Sequence, residues 1–168
     1  MTLTELNTLD NPALKEAITK CCGAKAWVEK MINIFPVYNQ QTLFNKARKI
    51  WFQCNEDDWR DAFTHHPKIG DLNSLKEKFA STSTWAEGEQ ASVKQTSTKV
   101  LEALAEGNTL YEKKFDFIFI VCATGKSAAE MLALLQARLP NKPQDEILIA
   151  MEEQHKITEL RLQKLLAQ

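Results

Sequence analysis

Apolar residues recur every three or four positions through most of the chain, with polar residues between them, the period of helices that each bury one face. The clearest stripe lies between Gln40 and Cys54, at Leu43, Phe44, Ala47, Ile50 and Trp51. Asp10 or Asn11 is placed to cap a helix running through Cys22 and stopped by Gly23, and a second helix spans Ala24 to Phe35, ending before Pro36. Asn55 caps Glu56 to Thr64, and a short helix lies around Leu75 to Phe79. A Ser or Thr of the polar run STSTWAEGEQ caps a long helix to about Gly107, with Asn108 to Phe115 a further helical segment. Ser127 caps AAEMLALLQARL, and Pro143 sits near the first turn of the last helix, EILIAMEEQHKITELRLQKLLA.

Two stretches break this period. In HHPKIGDLNS, Pro67 disfavours helix at His66 and Gly70 permits a turn. In DFIFIVCATG, aromatic and β-branched residues crowd a short apolar run that would suit a strand, but no partner strand is in sight, so buried extended backbone is expected. The expected architecture is all-α: one compact domain over residues 1–168, with about eight helices and one short buried extended segment.

Composition agrees, with only 5 Gly and 5 Pro to interrupt helices in 168 residues. The 21 basic and 22 acidic residues nearly cancel, which argues against nucleic acid or an acidic membrane surface and leaves a small molecule or another protein as partner. The N-terminal segment is polar, with Glu5 and Asp10, and no apolar run approaches the roughly 18 residues of a membrane span. Cys21, Cys22, Cys54 and Cys122 show no CxxC spacing, so reduced, mostly buried thiols and a cytoplasmic location are expected.

Three groups of residues carry candidate chemistry. His66 before Pro67 sets an imidazole on rigid non-helical backbone, suited to proton transfer near neutral pH; equally, His65 and His66 would serve to end a helix by bonding its last carbonyls. Glu89 and Gln90 lie near the start of the long helix, where a carboxylate meets unpaired N–H groups and an amide reads a polar ligand, or where both are simply solvated. Arg161 stands at helical spacing from Ile157 and Leu165, so its guanidinium either faces inward to grip a carboxylate or urea-like carbonyl, or snorkels to the surface.

Other patterns fail. Gly125-Lys126-Ser127 resembles the end of a phosphate-binding loop, but Ile120 stands where that loop needs Gly, which leaves at most a weak anion site. Glu152 and His155 have the Glu-x-x-His spacing of di-metal bundles without the second pair such a site requires. His65, His66 and Cys54 make a poor zinc set, because adjacent histidines do not easily reach one ion from one side. A non-catalytic helical interaction module stays open beside the enzyme reading.

Taken in order, His66-Pro67-Lys68-Ile69-Gly70, Glu89-Gln90, Asn108-x-x-Tyr111-x-x-x-Phe115, Phe117-Ile118-Phe119-Ile120-Val121-Cys122 and Ile157-Thr158-Glu159-Leu160-Arg161-Leu162 resemble the OHCU decarboxylase family, from about Leu6 to Leu166. OHCU is 2-oxo-4-hydroxy-4-carboxy-5-ureidoimidazoline, which that family converts to (S)-allantoin in urate catabolism. The resemblance implies an all-α, cofactor-independent, cytoplasmic carboxy-lyase that binds no metal and forms a homodimer. It implies that His66 transfers protons with Glu89 as second catalytic residue, and that Pro67 lies against the substrate ring. Gln90 and the flanking Ala86, Glu87 and Gly88 would contact the ureido and ring groups. The backbone of Phe119, Ile120, Val121, Cys122 and Ala123 would meet the planar heterocycle, and Arg161 would reach the ligand from the last helix. The chain departs from the family pattern at Ala86, where many relatives have Ser, and at Asp116-Phe117-Ile118-Phe119, where Gly-Phe-Pro-Phe is usual.

Overall fold

Local caps set most of the helix starts in the computed structural model, which describes residues 1–67, 72–79 and 90–167, with the backbone alone over 90–97. The helices are α1 (Leu3–Thr8), α2 (Asn11–Cys21), α3 (Lys25–Ile32), α4 (Gln40–Phe52), α5 (Glu56–Thr64), α6 (Leu72–Phe79), α7 (Gln90–Phe115), α8 (Ala128–Arg138) and α9 (Pro143–Leu166). Among the described residues there is no strand, and the all-α expectation holds. Asp10, Asn39, Asn55 and Ser127 each accept a backbone N–H of the first turn they precede.

Helix α1 is an addition to the expected set. Thr2 Oγ1 accepts the Glu5 N–H at 3.2 Å while the Glu5 carboxylate accepts the Thr2 N–H at 2.6 Å, a reciprocal cap written in the sequence as Thr-x-x-Glu. Helix α3 ends three residues earlier than expected: the Ile34 N–H turns back to the Met31 carbonyl at 3.1 Å, and Pro36 disfavours helix at Phe35. Gly107 does not end a helix. It sits inside α7, where an added Cβ would fall 2.6 Å from Leu135 Cδ2, so glycine serves the close approach of α7 and α8 rather than a turn.

Two compact units divide the chain. One comprises Met1–His66, Ile120–Cys122 and Ile149–Gln168. Its core holds Ile18, Trp27, Met31, Leu43, Trp51, Phe63 and Leu162, and the indoles find acceptors: Trp27 Nε1 donates to the Ala47 carbonyl at 3.1 Å and Trp51 Nε1 to that of Met151 at 2.8 Å. The Asn7 amide clamps the Val37 backbone, donating to its carbonyl at 2.8 Å and accepting its N–H at 2.9 Å.

The other unit comprises Pro67–Phe119 and Ala123–Leu148. Its apolar centre includes Leu104, Tyr111, Phe115, Phe117 and Leu135. Glu146 is fully buried there and accepts from Tyr111 Oη at 2.5 Å, Arg138 Nε at 2.6 Å and Asn141 Nδ2 at 2.9 Å. Burial keeps the Tyr111 phenol protonated, so it donates to the carboxylate.

The run 118–123 carries no regular secondary structure, and Ile120 and Cys122 are buried, as expected of an extended segment. All four cysteines are buried. Among the described residues, no helix is long and apolar enough to cross a membrane.

Candidate active site

Helix α5 delivers His66. Asn55 fixes its start, its last turn closes on His65, and the His66 N–H still reaches the Phe63 carbonyl at 3.4 Å before Pro67 takes the chain away as exposed, non-helical backbone. His65 turns outward and pairs with Asp61 at 3.3 Å. His66 turns inward, where its Nε2 lies 2.5 Å from Oε1 of Gln154 on α9.

Burial holds the His66 pKa below the ordinary histidine value, partly countered by the Gln154 bond, with the positive charges of Arg161 and His65 pushing the same way as burial. The ring is therefore neutral near pH 7, the state in which an imidazole accepts a proton. The influence of Arg161 also reaches Cys21 and Cys22, whose thiols burial pushes up to about 11 and about 12, so both stay protonated and inert near neutral pH. His66 and Arg161 belong to the same unit, and the guanidinium charge acts on the ring, although 95 positions separate them in the chain. Arg161 is half-buried rather than splayed into solvent.

Comparison with known proteins decides the family. The OHCU decarboxylase family model matches residues 7–163. The chain belongs to the OHCU decarboxylase family. It is 45% identical over 149 residues to the uric acid degradation bifunctional protein TTL of Arabidopsis thaliana, spanning 45% of that protein's length and using 86% of its own. It is 22% identical over 163 residues to the 2-oxo-4-hydroxy-4-carboxy-5-ureidoimidazoline decarboxylase of Haloferax volcanii, covering 96% of this chain and 94% of that one. A crystal structure of OHCU decarboxylase in the presence of (S)-allantoin superposes with a TM-score of 0.71 at 40% identity, over 89% of this chain and 96% of its own.

Within this family member the other expected site residues are distributed as follows. Ile120, Val121 and Cys122 belong to the same unit as His66 and Arg161, with Ile120 and Cys122 buried and Val121 half-buried. Phe119 is half-buried in the other unit, its ring 5.2 Å from that of Tyr111 and 4.6 Å from the Arg138 guanidinium. Ala123 accepts the Lys126 N–H at 3.0 Å, closing a turn at Gly125 with φ +76°. Ala86, Glu87, Gly88 and Glu89 lie outside the described residues, and Gln90 is described only as the first residue of α7.

Residues of the rejected patterns make other contacts. The Ser127 hydroxyl caps α8 by accepting the Glu130 N–H at 3.2 Å. His155 lies edge-on to Phe52 and 3.5 Å from Glu159, while Glu152 is exposed. Among the described residues, no three His, Cys, Asp or Glu side chains gather as metal ligands.

Sequence reasoning missed Gln154 and Thr158. Both are buried, and Gln154 Nε2 donates to Thr158 Oγ1 at 3.1 Å. With Arg161 they stand at i, i+4 and i+7 on one face of α9, a polar stripe along that helix. That spacing was the available signal.

Proposed function

We propose that this chain decarboxylates 2-oxo-4-hydroxy-4-carboxy-5-ureidoimidazoline to (S)-allantoin in urate degradation, with the whole 1–168 span acting as one catalytic domain. The chain is a carboxy-lyase. The observation that carries this reading is a neutral imidazole, His66, under the influence of the Arg161 guanidinium, in a chain that aligns with an OHCU decarboxylase crystallised in the presence of (S)-allantoin.

The chemistry asks little of the protein beyond placement and charge. When the carboxylate leaves as carbon dioxide, the electron pair of the broken C–C bond delocalises into the adjacent C=N of the imidazoline, so the ring is its own electron sink and no cofactor takes part. His66 and Glu89 orient the hydroxyl and ureido groups and move the proton. Arg161 holds an anionic or carbonyl oxygen of the ligand, with Pro67 against the ring and Ala86, Glu87, Gly88 and Gln90 around the ureido arm. Backbone groups of residues 119–123 meet the heterocycle, and donors to the enolate-like ring stabilise the charge that develops. Protonation on one face sets the (S) configuration. The protein works as a homodimer in the cytoplasm.

The test generates the substrate freshly from urate with the two upstream activities, adds the protein and follows allantoin by circular dichroism. His66→Ala and Glu89→Gln each lose most of the rate while remaining folded, and excess allantoin raises the melting temperature of the unaltered protein. Full activity in both variants would remove the two side chains from the mechanism. Absence of any allantoin-dependent stabilisation, together with no turnover, would favour a helical interaction module instead.

A further inference from the structure

We propose that Gln154, held by Thr158, is a positioning residue that fixes the tautomer of His66, so that Nδ1 is the ring nitrogen that exchanges a proton with substrate. This rests on the proton-transfer role given to His66 above.

The argument is one of donors and acceptors. The Thr158 hydroxyl has a single proton, and its Oγ1 lies 3.0 Å from the backbone carbonyl of Gln154, an acceptor only and a stronger one than the protonated Cys22 thiol that also reaches Thr158. With the proton spent there, a lone pair of Oγ1 faces the Gln154 amide 3.1 Å away, and only the –NH2 end of that amide can answer a lone pair. The amide oxygen is then the end that faces His66, at 2.5 Å. An amide oxygen cannot donate, so His66 Nε2 carries the hydrogen. The reverse orientation would turn the hydroxyl proton toward the amide and leave two bare oxygens, Thr158 Oγ1 and Gln154 O, 3.0 Å apart.

Gln154 is 1% exposed and Thr158 3% exposed, so water does not compete for these bonds. The charged groups acting on the ring are Arg161 from α9, which has no acceptor, and His65 from the end of α5, whose Nε2 faces Asp61 instead. In the neutral ring the free lone pair therefore belongs to Nδ1. Taking up a proton there leaves the Nε2–H bond to Gln154 unchanged, so the ring cycles between its two states without reorganising its support.

The experiment reads the ring directly. In uniformly 15N-labelled full-length protein, two-bond 1H–15N correlations of His66, assigned by their loss in His66→Ala, are recorded above and below its titration. The Nε2–H pattern in the neutral state is expected. Gln154→Leu is expected to scramble that pattern and lower kcat by about 100-fold with KM little changed. Gln154→Glu keeps an acceptor at Nε2 and is expected to move the acid limb of the rate profile upward, because a carboxylate favours the imidazolium. Thr158→Ser is expected to retain the wild-type tautomer and rate, and Thr158→Val to lose both in part. An Nδ1–H pattern in the unaltered protein, with activity still lost in His66→Ala, overturns the inference alone. Full activity in His66→Ala overturns the role beneath it. Because the tautomer is read in the unaltered chain, the outcome stands even where a Gln154 variant fails to fold.

Discussion

Gly23 lies against the ring of His65: a Cβ built on it would overlap the imidazole at Cγ, Cδ2 and Cβ. The expected reason for glycine at this position was to stop α2, but α2 closes on Cys22 in extended conformation, and what Gly23 supplies is room. His65 is the residue before His66, so the contact bears on the site. Gly23→Ala is expected to displace the end of α5, lowering stability by about 1–3 kcal/mol, as overpacking does, and reducing kcat/KM. Thermal melts and steady-state rates on the purified variant check both, and an alanine variant with unchanged melting temperature and rate would show that His65 moves aside freely.

Glu146 and Arg138 form a buried pair with Tyr111 and Asn141 completing the carboxylate's bonds. Removing the carboxylate charge takes a counter-charge away from a buried guanidinium. Glu146→Gln is expected to cost about 3–5 kcal/mol, measured as a lowered urea midpoint. A loss under about 1 kcal/mol would mean that solvent reaches Arg138 in the folded protein.

Acid should destabilise the fold through its buried imidazoles. Burial lowers the pKa of both His66 and His155 in the folded protein, so between the folded and the ordinary unfolded value the unfolded chain binds more protons. Their contribution to stability is complete above the ordinary histidine pKa of about 6.5 and is lost as pH falls from there through the folded values. Denaturant titrations across this range are expected to show a decline that His66→Ala makes shallower. An identical decline in that variant would assign the effect to other groups.

The same depression sets the rate profile. With His66 as proton acceptor, kcat/KM is expected to fall on the acid side with a midpoint below the ordinary histidine value, and to be flat above it until another group titrates. A midpoint at or above that value would require a negative charge beside the ring in the free enzyme.

Asp116 adopts φ 62° where α7 ends, its N–H bonded to the Glu112 carbonyl at 2.9 Å. The OHCU decarboxylase pattern that the sequence resembles expects Gly here, which fits this left-handed conformation: only glycine enters it without a steric cost, while Asp is among the residues that tolerate it. Asp116→Gly is expected to raise stability by about 0.5–1 kcal/mol without altering the rate, checked by melting temperature and by turnover. Asp at this position thus holds a left-handed backbone at a steric cost that glycine would not carry.

The sequence by itself determined most of the helices and pointed to the family. Caps such as Asn55 and Ser127, and stripes such as Leu43 to Trp51, act within one or two turns, so a local window contains all the physics that places them. The order of the His66, Tyr111 and Arg161 motifs pointed to OHCU decarboxylases before any fold was in view. Only the tertiary structure decided that Gly107 spaces two helices, that Gly23 makes room for His65, and that Gln154 bonds an imidazole 88 positions away. Those are contacts between elements remote in the chain. Their energy depends on how whole faces pack and which donors lose access to water, which no short stretch of residues encodes.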